Sequence, residues 1–379
     1  MTTKKLSAVL VAILAAASAF VPLGAARAAY RFSDFQGKPP VHVYKSAQSK
    51  PSGVTPAEIK KIYNLPATGG KGTIALIDAY DDANMESDLA AFDKQFNLPA
   101  CTTANGCFEK HKMATSTILN SGWAMETSLD VEWAHAIAPN AKILLVEAKT
   151  PSGANLLSAI DYATSRKDVV AVSMSWGGAE FSDELTYDTH FVSKANPSMA
   201  FFASSGDDGA GASWPASSPN VIGVGGTSLE LASSGALIAE SAWSGSGGGV
   251  SAYEKEPAWQ TAYKISKANG MRAIPDVSYD ADPASGYPIY ITTGTGSKAK
   301  GAWDTVGGTS AGAPQWAAIQ ALGGSAVLAK FYTDKASTST LKYFRDITSG
   351  SNGDCQYYCD ARKRYDYVTG LGSPQTTKF

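Results

Sequence analysis

Short, almost uninterrupted apolar runs alternate along this chain with segments of helical period, and no other feature restricts the fold as much. Residues 72–78, 142–147, 169–175, 200–203 and 221–224 are such runs, rich in β-branched or aromatic residues and too short for buried helices. Between them, 86–96, 125–138 and 156–165 repeat apolar residues at helical spacing. A strand that is apolar on both sides must be covered on both sides. The alternation therefore predicts an α/β fold: a doubly wound, mainly parallel sheet with helices on both faces. Ligands of such sheets bind beyond the carboxyl ends of the strands, which is where functional residues are to be sought.

Composition removes several function classes. The 379 residues include 32 Lys+Arg against 34 Asp+Glu, a formal net charge of −2. Nucleic-acid surfaces carry a clustered basic excess, so no nucleic-acid partner is expected. With 44% hydrophobic residues the chain can fill a large core. Residues 1–28 have the plan of a secretory signal peptide: Lys4 and Lys5, an apolar run over 6–25, then Ala26-Arg27-Ala28. Cleavage after Ala28 predicts a secreted, extracellular protein without membrane attachment; the competing reading is an uncleaved anchor. Residues 29–53, with Pro39, Pro40 and Pro51, read as an extended lead-in or short pro-peptide, and 54–379 as one folded domain. In an oxidising compartment the four cysteines allow three pairings, and sequence proximity favours Cys101–Cys107 and Cys355–Cys359.

Gly307-Gly-Thr-Ser-Ala-Gly-Ala-Pro314 runs straight into a helix-like segment over 315–322. Ser310 thus stands at a helix N-terminus, where free N–H groups and the dipole favour developing negative charge. Pro314 is tolerated there, because first-turn N–H groups lack intrahelical acceptors. Such a serine is an ordinary cap or, beside a base, a nucleophile. Of the four histidines, His111 and His190 sit in polar stretches expected at the surface, and His42 lies in the lead-in. His135, at the end of a helical segment, is the one to test as a base.

A carboxylate pair offers a base without imidazole. Glu126 and Asp130 are four apart, on a helical face that continues through Trp133 and Ile137. Desolvation on an apolar stripe raises carboxyl pKa values, and a close pair then shares a proton. A third acid, Asp207, lies in the turn Gly206-Asp-Asp-Gly209 after a buried run. Protonated, it can donate to an oxyanion; ionised, it would repel one. Taken singly, these are also solvated acids on a helix and an acid-rich turn.

Together and in this order, Glu126-x-x-x-Asp130, Gly206-Asp-Asp-Gly209 and Gly308-Thr-Ser-Ala311 resemble the signatures of the sedolisin family. These are serine-carboxyl peptidases with a subtilisin-like fold that work in acid. The resemblance spans about 54–374 and includes the strings at 55–66, 172–178, 214–219 and 224–227. It implies a nucleophile at Ser310, a general base at Glu126, its supporting acid at Asp130 and an oxyanion acid at Asp207. It implies a substrate-pairing strand at Ser175, Trp176, Gly177 and Gly178, with Asp78 extending the acid network. None of the histidines has the His-Gly-Thr-His setting of subtilisins.

Residues 345–350 and 365–374 resemble the two halves of the family's C-terminal calcium loop. One structural calcium ion is implied, on the carboxylates of Asp346 and Asp366 and the carbonyls of Ile347, Arg362 and Arg364. The family pattern has glycines at 362 and 364, Gly-Asp-Ser-Gly in place of Gly-Asp-Asp-Gly, and a long pro-segment where this chain has 29–53. The expected protein is a secreted, monomeric serine-carboxyl endopeptidase. It would hydrolyse peptide or protein substrates at acidic pH through an acyl-enzyme. The alternatives are a tripeptidyl-type exopeptidase of the same family, an inactive binding protein on the same fold, and a hydrolase using His135.

Overall fold

A computed structural model describes residues 30–115, 118–294, 296–324, 328–333 and 343–377; residues 1–28, read above as a signal peptide, lie outside them. In chain order the elements are β1 (His42–Gln48), α1 (Pro56–Ile62), β2 (Thr73–Ala79), α2 (Met85–Phe96), β3 (Phe108–Lys112), α3 (Ser121–Ile137), β4 (Lys142–Ala148), α4 (Gly153–Thr164) and β5 (Val169–Met174). There follow β6 (Gly178–Ala179), β7 (Ala200–Ser204), β8 (Ser213–Trp214), β9 (Ile222–Leu231), β10 (Leu237–Ala242), β11 (Gly249–Lys255) and α5 (Ala258–Tyr263). Next come β12 (Met271–Ile274), β13 (Val277–Asp280), β14 (Tyr287–Thr293), β15 (Lys300–Gly307) and α6 (Gly312–Ala321), and then α7 (Leu328–Phe331), β16 (Phe344–Arg345) and β17 (Ser373–Pro374).

The central sheet runs β10-β9-β7-β5-β2-β4-β3, with β13 also paired to β9. Every pairing from β3 through to β9 is parallel, as is β13 to β9; only β10 is antiparallel. The two faces explain the apolar runs. Ile74, Leu76, Ile143, Leu145 and Phe202 face one cluster with Leu89, Leu129, Trp133 and Trp316 of α2, α3 and α6. The alternate residues Ala75, Ile77, Leu144, Val146 and Val172 face a second cluster with Leu156 and Ile160 of α4. Successive strand residues point to opposite sides, so each strand is apolar at most positions. The fold is the expected subtilisin-like α/β domain.

Two helices begin earlier than apolar spacing suggests. Asn120 caps α3, its Oδ1 accepting from the N–H groups of Gly122 and Trp123 at 3.1 Å each, so the helix opens at Ser121. In α6 the helix starts at Gly312, which puts Pro314 in the first turn.

The lead-in is ordered and adds a strand to the domain. β1 pairs antiparallel with β15, which pairs antiparallel with β14, giving a separate three-stranded sheet. Upstream, Phe35 is fully buried, its ring 4.8 Å from that of Trp214 and 5.8 Å from that of Phe181. Both disulfides join neighbours, Cys101 to Cys107 and Cys355 to Cys359. Among the described residues no helix is long and apolar enough to cross a membrane.

Candidate active site

The carboxyl ends of three parallel strands converge on one place. β2 ends near Asp78, β5 runs into 175–178, and β7 runs into the turn at 205–209. From outside this set, β15 delivers Gly308 to Ser310 and α3 lies across the sheet beneath them. Residues far apart in sequence meet here because a parallel sheet gathers its loops at one edge.

Ser310 lies in a single 3-10 turn, Thr309–Ala311, that leads into α6. Its hydroxyl donates to Glu126 Oε2 at 2.9 Å. Four residues further along α3, Asp130 accepts at Oδ1 from the Ser175 hydroxyl at 2.7 Å. Ser175 also lies 3.3 Å from the Ser310 carbonyl oxygen, so it ties the acid pair to the nucleophile's backbone. Glu126, Asp130, Asp78, Ser175 and Ser310 are all fully buried. Neither oxygen of Asp78 has a hydrogen-bond partner among the described residues, whereas the Glu126 and Asp130 carboxyls lie within hydrogen-bonding reach of each other.

Three buried acids with so little compensation cannot all ionise. Burial, then the Asp130 and Asp78 charges, push the Glu126 carboxyl well above the usual carboxylate range, with the Ser310 hydroxyl opposing. Burial pushes Asp130 up to about 8, against the hydrogen bonds with Ser175 and Glu126. Asp78 is raised by burial and then by Asp130, Glu147 and Asp82. Such a group titrates as a unit, and a proton resident on it is the natural state.

Asp207 faces the same loop from the other side. Its Oδ1 accepts from the Thr309 N–H at 2.8 Å and from the Thr309 hydroxyl at 2.7 Å. Burial raises its carboxyl, while His42 and Thr309 pull it back. Gly308 adopts φ +131°, and a Cβ there would stand 2.5 Å from Asp207 Oδ2 and 2.0 Å from the Pro40 carbonyl oxygen. Only glycine lets the nucleophile loop approach the acid this closely.

The remaining candidates separate by position. Gly177 and Gly178 line the open cleft together with the 205–209 turn. Ser175 and Trp176 turn inward; the Trp176 indole donates to the Ile77 carbonyl at 2.8 Å. In the C-terminal loop, Asp366 accepts from the N–H groups of Arg362, Val368 and Thr369. Asp346 accepts from the Arg364 N–H alone among the described residues, and Ile347 is buried. Arg364 keeps the left-handed φ of +70° that a glycine would supply. The Arg362 guanidinium points to Asp360 at 3.2 Å and over the Tyr357 ring.

His135 is not the base. It is fully buried on α3, its Nε2 2.9 Å from the Pro99 carbonyl and 3.4 Å from Asp93. Burial pushes its pKa down to about 4, so it is a neutral packing group. His111 stacks on Tyr162, and His190 contacts Asp161. His42 is the residue that sequence reasoning passed over. Its Nε2 lies 3.0 Å from Asp207 Oδ2, yet its setting in a polar, proline-rich stretch carries no motif to signal this.

Comparison with known proteins agrees with this geometry. A family model described as the subtilase family matches residues 109–343. Sedolisin from Pseudomonas sp. (strain 101) is 29% identical over 376 residues, covering 86% of this chain and 60% of that protein. Kumamolisin from Bacillus sp. (strain MN-32) is 30% identical over 371 residues, covering 87% and 63%. Tripeptidyl-peptidase 1 from Dictyostelium discoideum is 27% identical over 368 residues, covering 85% and 57%. The chain thus spans about 60% of the length of these relatives. A solved structure of the Pseudomonas sedolisin, described as a serine-carboxyl proteinase complexed with two molecules of pseudo-iodotyrostatin, superposes with a TM-score of 0.71 at 28% identity. The match covers 86% of this chain and 96% of that one. An acid-paired serine on a subtilisin-like sheet, with these relatives, places the chain in the subtilase family and within it among the sedolisins.

Proposed function

We propose that this protein is a secreted serine-carboxyl endopeptidase that cleaves peptide or protein substrates in acid. The observation that carries the reading is the 2.9 Å hydrogen bond from the Ser310 hydroxyl to a buried carboxylate oxygen of Glu126. Ser310 Oγ attacks the scissile carbonyl carbon as Glu126 takes its proton. Asp207, protonated, donates to the oxygen that becomes negative. Glu126 then returns the proton to the leaving amine, and water repeats the sequence on the acyl-enzyme. Asp130 and Ser175 position Glu126. The endopeptidase mode is the reading taken, and the exopeptidase alternative is separated from it by the products.

Activity requires Glu126 unprotonated and Asp207 protonated. Asp207 is raised above its ordinary value, so its donor is present below that raised pKa and lost as pH climbs through it. Glu126 is raised too, so the base is lost as pH falls through its pKa. The expected kcat/KM profile is a bell that peaks on the acid side of neutrality, and a peak above neutrality would exclude the assignment. Asp207→Ala should lower kcat by about 10²- to 10³-fold, the usual effect of removing an oxyanion donor. Mass spectrometry of the products then separates internal cleavage from release of tripeptides from free N-termini, which is the exopeptidase alternative.

The same reading includes one structural calcium ion in the C-terminal loop. The donors there are all hard oxygens: the Asp346 and Asp366 carboxylates and the carbonyls of Ile347, Arg362 and Arg364. The residues fit, since Arg364 retains the left-handed backbone and the Arg362 charge is directed at Asp360. Saturating calcium should raise Tm by about 5 °C over chelator-treated protein. Asp346→Ala should abolish that response, and a Tm indifferent to calcium in the unaltered chain would remove the site.

A further inference from the structure

We propose that Thr309 is a positioning residue for the oxyanion acid: its two donors fill one oxygen of the Asp207 carboxyl and so confine the carboxyl proton to the other oxygen, on the cleft side. This rests on the peptidase reading above and adds how the donor of that site is aimed. A neutral carboxyl carries its proton on one oxygen only. Asp207 Oδ1 accepts from the Thr309 N–H at 2.8 Å and from the Thr309 hydroxyl at 2.7 Å. An oxygen that already receives two donors at these distances is the poorer place for a proton, which therefore falls on Oδ2. Among the described residues Oδ2 is met only by the His42 imidazole, 3.0 Å away. Asp207 and His42 both line the open cleft, whereas Thr309 does not and is fully buried.

The direction of the Thr309 hydroxyl is itself set. The Gly206 N–H donates to Thr309 Oγ1 at 3.2 Å. The hydroxyl hydrogen is then left to Asp207 Oδ1 at 2.7 Å or to the Gly206 carbonyl at 3.2 Å, and the shorter contact is the one to the acid. Thr309 also opens the 3-10 turn that carries Ser310. One residue thus ties the acid to the nucleophile through a backbone and a side-chain donor, and fixes their spacing before substrate arrives. A donor aimed in advance needs no reorientation when the oxyanion forms.

The charged groups facing Asp207 among the described residues are His42 at Oδ2, Asp208 on the same turn, which acts on His42, and Glu126 on α3, whose own pKa the Asp207 charge raises. Burial raises the Asp207 carboxyl, while His42 and then the two Thr309 donors oppose it, because each favours the ionised form. Loss of the Thr309 hydroxyl therefore raises the Asp207 pKa further. The protonated donor then persists to higher pH, so the alkaline limb of the activity profile moves up even as the rate falls. Mere loosening of the turn does the reverse, since water admitted to Asp207 returns its carboxyl toward the ordinary range.

The test uses the full chain. Thr309→Val keeps the shape and the N–H but removes the hydroxyl, and Thr309→Ser keeps the hydroxyl. The first readout is kcat and KM on a quenched fluorescent peptide across pH. The second is titration of the Asp207 carboxyl by carbon NMR of aspartate-labelled protein, with Asp207→Asn identifying the signal, which needs no turnover. Thr309→Val should lower kcat about tenfold, as one lost hydrogen bond predicts, and leave KM near that of the unaltered chain. Its alkaline limb and its Asp207 titration should both move to higher pH, and Thr309→Ser should stay close to the unaltered chain in every readout. Should the valine variant fail to fold, Thr309→Cys, whose thiol is a weaker donor, carries the same expectation in the same direction. An Asp207 titration that stays in place or moves to lower pH overturns the positioning role, whatever happens to kcat. An upward titration without peptide cleavage by any form keeps that role and removes the peptidase assignment, whereas cleavage with kcat and the alkaline limb unchanged in Thr309→Val does the reverse.

Discussion

Ser310→Ala is expected to abolish fluorophosphonate labelling and to lower kcat on the order of 10⁴-fold or more. In the proposed mechanism the Ser310 hydroxyl forms the covalent bond, and it is the hydroxyl that donates to Glu126 Oε2. The fold should survive. Ser310 is buried in a turn whose backbone is held by Gly308 and by the Thr309 contacts to Asp207, and alanine fits the space. What changes is that Glu126 Oε2 loses its donor. Because that hydrogen bond lowers the Glu126 pKa, its removal drives the acid further toward its neutral form. The stability change should be about 1 kcal/mol. Residual labelling in the alanine variant would place the nucleophile elsewhere. Retained proteolysis without labelling would point to a mechanism with no acyl-enzyme.

The second large effect is at Glu126. Glutamine has the same shape and can still accept the Ser310 hydrogen bond through its amide oxygen, but it cannot take the proton. Glu126→Gln should therefore leave Tm close to that of the unaltered chain and cost about 10³-fold in kcat, within the range for losing a general base. It should also flatten the acid limb of the pH profile, since that limb reports protonation of Glu126. A loss of activity that depends on folding, or an acid limb that persists unchanged, would assign the limb to another group. Asp130 is the obvious candidate, with its carboxyl pushed up to about 8 by burial.

Much of this site was legible before any coordinates. The string around Ser310 runs from glycines into a helix, and the four-residue spacing of Glu126 and Asp130 puts them on one face of α3; both are local facts. The strands at 72–78, 142–147 and 169–175 declared themselves because burial on two faces leaves few polar positions. Helix starts were less visible. The opening of α3 at Ser121 depends on one side-chain cap at Asn120, and Gly122 within the first turn hides the helical period. The standing of His135 also needed the fold. Sequence puts it on the same helix as Glu126, but its ring contacts the Pro99 carbonyl and Asp93.

Sequence alone pointed to the parallel sheet, to the Glu126–Asp130 pair and Ser310 as candidates, and to the two local disulfides among three pairings, because each is a pattern of neighbours within one or two turns or a few residues. Tertiary structure decided how Ser175 links Asp130 to the Ser310 backbone, and that the lead-in lines the cleft with His42 against Asp207. Those contacts join positions 45 to 165 residues apart, and which partners meet depends on strand order and on where the sheet's loops gather. A histidine among prolines is unremarkable until the chain folds it back onto a buried carboxyl, whose desolvation is itself a product of the packing.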